Sequence, residues 1–144
     1  NDGELSTAEI AQQGQVDGKC LYLPAIVGKA LEFRPWMPGE TLTNNRYGIG
    51  ETSSPCIDPS ELELLLMPVV GWAMDGTRLG MGGGFYDRFL ADQATDGIVR
   101  VGLAYAMQQD PVISQLCDPW DQKLHSVVTE ESLFKAAPGA DAKD

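Results

Sequence analysis

Residues 75 to 88 read Asp-Gly-Thr-Arg-Leu-Gly-Met-Gly-Gly-Gly-Phe-Tyr-Asp-Arg, a glycine-dense segment with Arg78 before the glycines and Asp87 after them. Residues without a β-carbon let a ligand approach the main chain closely, and successive N–H groups in such a turn can point at phosphate oxygens. The segment therefore reads as a cradle for a nucleotide phosphate, backed by a helix expected over Phe85 to Gln93. Upstream, Leu64 to Val70 is short and aliphatic, as a buried strand covered on both faces would be. The spacing matches neither G-x-x-x-x-G-K-[ST], because no lysine follows the glycines, nor a dinucleotide fingerprint with its downstream acid. On spacing alone, the alternative is a tight turn or connector packed against the sheet.

Other chemistry has less support. His125 is the only histidine, and its place in an expected strand makes it a structural residue rather than a general base. No serine lies in a G-x-S-x-G elbow, which argues against a hydrolase triad. Cys20, Cys56 and Cys117 are odd in number, widely spaced and free of C-x-x-C, so neither a disulfide framework nor a zinc site is expected, and a reducing cytoplasm fits. A formal net charge of -11 disfavours a nucleic-acid partner, which would need a basic face. No run approaches the roughly 18 apolar residues of a membrane span.

These residues need a scaffold, and 144 residues suit one domain that buries roughly 68 to 70% of its unfolded surface. Thr7 followed by Ala8-Glu9-Ile10 reads as a helix start, with Gly14 or Gly18 as its stop. Cys20 to Ile26 and Leu31 to Trp36 read as strands joined by a turn at Gly28, the first at an edge or ending early because of Pro24. Met37 to Pro59, rich in Pro, Gly and Asn, reads as a long loop. Ile98 to Tyr105 and His125 to Thr129 read as later strands, with a short helical turn over Pro111 to Leu116. Alternating strands and helices predict an α/β class: one three-layer domain over residues 1–135, its mostly parallel central sheet flanked by helices. Residues 136–144 are expected to be a flexible tail.

The glycine-rich stretch resembles the 5-formyltetrahydrofolate cyclo-ligase family, also called methenyltetrahydrofolate synthetases. In that family an apolar strand ending in Pro precedes D-x-x-G-x-R-L-G-x-G-x-G-[FY]-Y-D-R. This chain has Met67-Pro68, then Gly76, Arg78-Leu79-Gly80, Gly82, Gly84 and Phe85-Tyr86-Asp87-Arg88. Similar segments follow in the family's order: Val101-Gly102-Leu103-Ala104-Tyr105, Trp120-Asp121 and Val127-Val128-Thr129-Glu130, and upstream Leu31-Glu32-Phe33 and Tyr47-Gly48-Ile49-Gly50-Glu51. Two departures are Met81 and Gly83, where some members carry Arg and Lys. The family's basic N-terminal helix is missing from these residues, so the chain reads as a fragment.

The resemblance implies an ATP- and magnesium-dependent conversion of 5-formyltetrahydrofolate to 5,10-methenyltetrahydrofolate, with ADP and phosphate as the other products. The formyl oxygen attacks the terminal phosphoryl group, N10 closes the ring, and phosphate leaves. Such a transfer depends on positioning and charge neutralisation more than on a protein nucleophile. Arg78, Tyr86 and Asp87 are the implied catalytic residues. The ATP contacts would be Arg78, Leu79, Gly80, Met81, Gly82, Gly83, Gly84, Phe85 and Tyr86. Folate would meet Glu4, Tyr47, Met81, Gly82, Gly83, Gly84 and Phe85.

Asp87 and Asp121 would hold Mg2+, which suits an acidic chain that must bind two anionic substrates. The plainer reading has Asp87 at the start of its helix and Asp121 capping a turn. Arg78 could likewise form an ion pair with Asp75 or Asp87 instead of binding phosphate. A monomer in the cytoplasm, with no nucleic-acid or membrane partner, is expected. Alternatives to the cyclo-ligase are a sugar-phosphate isomerase or transferase on a related fold, and a non-catalytic folate or nucleotide binding module.

Overall fold

The computed structural model describes residues 8–37, 39–79, 84–116, 118 and 121–136. The first helix, α1 (Ala8–Val16), runs past Gly14 and stops at Gly18. Gly18 adopts φ +77°, its N–H donates to Gln15 O, and the Lys19 N–H donates to Gly14 O. This pair of bonds is a Schellman termination, which needs a left-handed residue that glycine supplies without steric cost. The Thr7 cap expected from the sequence lies outside the described residues.

Strands β1 (Tyr22–Val27) and β2 (Ala30–Pro35) form an antiparallel hairpin in which Val27 pairs with Ala30 across the Gly28 turn. The expected loop after it contains a small hairpin of β3 (Thr43–Asn44) and β4 (Gly50–Glu51), then a 3-10 turn at Pro59–Glu61 capped by Asp58. Strand β5 (Leu64–Pro68) follows and leads into a second small hairpin, β6 (Gly71–Trp72) with β7 (Arg78–Leu79). The glycine-rich segment therefore follows a hairpin arm and not the apolar strand directly. Next come α2 (Phe85–Leu90), which is shorter than the expected Phe85 to Gln93, and β8 (Val99–Leu103). Short 3-10 turns at Ala106–Gln108 and Pro111–Gln115 lead on to β9 (Ser126–Val128) and β10 (Leu133–Lys135).

The main sheet has the order β10-β9-β8-β5. Strand β5 runs parallel to β8 and β8 parallel to β9, while β10 returns antiparallel. The class is thus mixed α/β with a mostly parallel sheet and a few helices, as expected. Strand β5 is an edge of this sheet, and its side chains alternate in burial instead of being covered on both faces: Leu65 and Met67 are buried, whereas Leu64 is exposed.

One sheet face carries Leu65, Met67, Val127 and Phe134. The β1–β2 hairpin and α2 pack on this side, joined by Phe33 against Phe89 at 5.0 Å between ring centroids, and Trp72 meets Phe134 at 5.5 Å. Leu124 fills the space above Gly102, where a β-carbon would sit 2.6 Å from a Leu124 methyl. Of the expected tail, only Ala136 is described, and its N–H donates to His125 O.

Candidate functional site

The hairpin arm β7 and the start of α2 bring Arg78 and Asp87 together, with the glycine-rich segment between them. Arg78 Nη2 donates to Asp87 Oδ1 at 2.6 Å, and the two side chains are 10% and 19% exposed. The same Oδ1 accepts the Gln122 N–H at 2.9 Å. Asp121 precedes Gln122, so its main chain runs beside the Asp87 carboxylate. Asp121 also ends a turn: its Oδ2 accepts the Asp118 N–H at 2.8 Å, and its own N–H donates to Asp118 O. The ion-pair and turn-capping alternatives foreseen for Arg78 and Asp121 are therefore both realised. Neither arrangement uses Asp87 Oδ2 among the described residues.

Two guanidinium groups, Arg78 and Arg100, lie close enough to repel each other. Arg78 Nε and Arg100 Nε are buried without a hydrogen-bond partner. Burial, and then the neighbouring Arg78 charge, lower the proton affinity of Arg100. The Asp96 charge acts the opposite way on Arg100, while Asp87 is the counter-charge of Arg78.

The segment that carries Asp121 is anchored from below. Leu124 N–H donates to Gly76 O at 2.8 Å, and Lys123 Nζ lies 3.4 Å from Asp75 Oδ2. Burial works to raise the Asp75 pKa, but hydrogen bonds from Thr77 and the Lys123 charge outweigh it and bring the group below its ordinary value. Asp75 is therefore the partner of Lys123 and Thr77, not of Arg78.

Two of the expected folate contacts also meet. Tyr47 and Phe85 form an edge-to-face pair with centroids 6.1 Å apart and an interplanar angle of 74°. Tyr47 rises from the β3–β4 hairpin, where Asn45 Oδ1 accepts the N–H groups of Tyr47 and Ile49. Glu51 fixes that hairpin to the rest of the fold by accepting from Asn45 Nδ2 at 2.7 Å and Ile26 N–H at 2.8 Å. Burial raises the Glu51 pKa, yet these two bonds and the Arg34 charge prevail and hold it low. Sequence reading had not given Glu51 a role of its own; its place in Tyr-Gly-Ile-Gly-Glu was the available signal.

The remaining expectations divide. Tyr86 packs partly buried against the core, and Leu79 receives the Val70 N–H on its carbonyl. Gly84 adopts φ +67° at the start of α2. With six residues, α2 adds little dipole to an anion site, so any cradle there depends on loop amides. Glu4, Gly80, Met81, Gly82 and Gly83 lie outside the described residues, as do Cys117 and Trp120. Arg88 turns away from Asp87: it donates to Lys29 O and stacks over Phe85 at 5.0 Å. A cleft of about 310 Å³ opens beyond it, walled by Phe33, Ile57, Leu62 and Phe89, and lies apart from the Asp87 cluster. Among the described residues, no group of three or more potential metal-ligating side chains occurs, and no helix is long and apolar enough to cross a membrane.

Comparison with known proteins matches residues 1–130 to the model of the 5-formyltetrahydrofolate cyclo-ligase family. The chain is 35% identical over 133 residues to 5-formyltetrahydrofolate cyclo-ligase of Haemophilus influenzae, covering 88% of this chain and 70% of that protein. It is 35% identical over 142 residues to the Escherichia coli K12 cyclo-ligase, covering 93% and 76%. The NMR structure of Aquifex aeolicus 5,10-methenyltetrahydrofolate synthetase superposes with a TM-score of 0.74 at 25% identity, covering 100% of this chain and 72% of that one. A Mycoplasma pneumoniae 5,10-methenyltetrahydrofolate synthetase shares the fold at a TM-score of 0.65 and 24% identity, covering 86% of this chain and 65% of that one. With the glycine-rich segment tied by Arg78 and Asp87, and with relatives matched along nearly its whole length, this chain belongs to the 5-formyltetrahydrofolate cyclo-ligase family.

Proposed function

We propose that the chain converts 5-formyltetrahydrofolate to 5,10-methenyltetrahydrofolate with consumption of ATP and release of ADP and phosphate. The observation that carries this reading is the convergence of Arg78, the Gln122 N–H and Asp87 Oδ1 at the ends of the glycine-rich segment. Arg78 orients Asp87 and contributes positive charge beside the place where a transferred phosphoryl group gathers negative charge. The loop amides of residues 80–84 would complete the grip on the triphosphate. Tyr47 and Phe85 present an aromatic wall for the pterin ring, and Glu4 is proposed as its polar contact.

Magnesium fits this donor set. It is usually bound by one or two carboxylates together with substrate phosphates and water, and Asp87 and Asp121 would be those carboxylates, a reading supported by the Gln122 N–H, next in the chain to Asp121, reaching Asp87. When bound, it would neutralise charge on the phosphate oxygens. A second helical layer, completing a three-layer domain, would lie on the sheet face where Leu64, Val99 and Leu133 are about half exposed around buried Val101 and Leu103. The monomeric, cytoplasmic state remains part of the same proposal.

The test is direct. Purified chain given 5-formyltetrahydrofolate and MgATP should form methenyl product and ADP in equal amounts. ATP binding with no methenyl product would replace the enzyme reading with that of a binding module.

A further inference from the structure

Residues Gln122 to His125 have no helix or strand to satisfy their main-chain groups, so each group must find its partner elsewhere. Arg100, on β8, supplies several of them. Its Nη1 donates to Lys123 O at 3.1 Å and to Gln122 Oε1 at 3.4 Å. Its carbonyl accepts the His125 N–H at 2.9 Å, and its own N–H donates to His125 Nδ1 at 2.9 Å. One residue thus clamps the stretch at both ends. The member of that stretch facing the site is the Gln122 N–H, which reaches Asp87 Oδ1.

We propose that Arg100 is a positioning residue for Asp87, acting through the Gln122–Lys123 main chain and fixing which carboxylate oxygen faces a bound cation. The proposal rests on the reading of Asp87 and Asp121 as cation ligands. With Oδ1 occupied by Arg78 and Gln122, a cation would be met by Oδ2. Without the Arg100 guanidinium, Lys123 O loses its donor, the Gln122 N–H is no longer held in register, and the carboxylate can rotate. The β8 position also explains why a long cationic side chain is used: its stem crosses the apolar sheet face, and Nη1 at its end reaches a carbonyl and an amide oxygen together.

The experiment compares parent, Asp87→Asn, Arg100→Met and Arg100→Lys chains. Mn2+ binding in the presence of ADP is followed by electron paramagnetic resonance, and the Gln122 amide is followed by 15N NMR in metal-free protein. Arg100→Met should weaken Mn2+ binding about tenfold, comparable to losing one charge-assisted hydrogen bond. Its Gln122 amide proton should move upfield, as expected when a hydrogen bond to a carboxylate lengthens. Arg100→Lys should recover part of both, because a single donor still reaches Lys123 O.

A folded Arg100→Met chain with parental Mn2+ affinity and an unmoved Gln122 amide overturns the proposal, even if its melting temperature falls. If Arg100→Met does not fold, Arg100→Lys decides in the same way, with about a threefold weakening expected from partial replacement of the bond. If Asp87→Asn binds Mn2+ as the parent does, the cation reading falls. The Gln122 amide in Arg100→Met still decides then whether Arg100 holds Asp87.

Discussion

Arg78 Nη2 and Asp87 Oδ1 stand 2.6 Å apart across nine residues of chain, so an ion pair joins the residues that flank the glycine-rich segment. Glycines give a loop freedom, and that freedom has to be limited before its amides can meet a triphosphate in one geometry. The pair fixes the distance between the segment's two flanks at little exposure to solvent. It also relates the two roles considered for Arg78: orienting Asp87 and meeting phosphate are compatible for a five-donor guanidinium, of which Nε has no partner.

Arg78→Gln should therefore affect both stability and nucleotide affinity. Losing a charge-assisted hydrogen bond at this burial costs about 1.5–3 kcal/mol of stability, and MgATP should bind about tenfold more weakly. Asp87→Asn keeps an acceptor for the Gln122 N–H, so it should be less destabilising while shifting the Mg2+ requirement more. Denaturant melts and calorimetric titration separate the two variants. Equal magnesium dependence in Asp87→Asn and parent would remove Asp87 from the cation site.

Tyr47 is 55% exposed and touches Phe85 edge to face, so its ring is placed for a ligand more than for the core. Tyr47→Ala should leave stability within about 0.5 kcal/mol of the parent, as substitutions at exposed positions usually do. The KM for 5-formyltetrahydrofolate should rise about fivefold, in line with the loss of one aromatic contact, with the KM for ATP unchanged. A change confined to the ATP KM would assign this loop to the nucleotide instead.

Much of this arrangement was legible in the sequence where residues had one dominant reason for their place. The strands expected over Leu64 to Val70, Ile98 to Tyr105 and His125 to Thr129 form the sheet, each shorter than expected, as Leu64–Pro68, Val99–Leu103 and Ser126–Val128. Gly28 turns a hairpin, and the glycine segment leads into a helix at Phe85. What escaped were elements too short for a periodicity to show. Strands β6 and β7 have two residues each, and the Asp-Gly-Thr between them reads as loop. Strand β10 has three residues, the last of them a lysine, and follows two acids and a serine. Arg100 and Gln122 were not foreseen because their roles come from long-range hydrogen bonds, which local composition does not encode.

Gly76 is the tightest main-chain contact beneath the site. It adopts φ +94°, and a β-carbon there would lie 2.5 Å from Leu124 O, a main-chain atom that cannot rotate away. Gly76→Ala adds left-handed strain of about 1–2 kcal/mol to the cost of displacing the 122–125 segment. The total should be about 3 kcal/mol or more, in the range of strain at special backbone positions. Gly84→Ala shares the unfavourable φ, but among the described residues its new atom would meet only the flexible Arg88 guanidinium, at 3.0 Å. It should cost about 1 kcal/mol. Thermal melts should rank Gly76→Ala well below Gly84→Ala, and similar melting temperatures would mean that the Leu124 contact is easily relaxed.

His125 ties pH to the same segment. Its Nδ1 accepts the Arg100 N–H, so when neutral it carries its proton on Nε2. Burial of this edge of the ring, and then the charge of Arg100, hold its folded pKa below the ordinary 6.5. The folded state therefore binds fewer protons than the unfolded state as pH falls through 6.5. Stability is fully present above that value and declines below it until the folded group also titrates. Asp75 and Glu51 have folded pKa values below their ordinary 3.8 and 4.5, and their contributions are lost only at lower pH. Between about pH 6.5 and 5 the slope should belong chiefly to His125. His125→Asn offers an oxygen near the position of Nδ1 and does not titrate, so it should flatten stability over that interval while leaving the acid limb below pH 4.5 in place. Urea melts at closely spaced pH values measure both limbs. A slope that persists unchanged in His125→Asn would show that the Arg100–His125 bond is not its source.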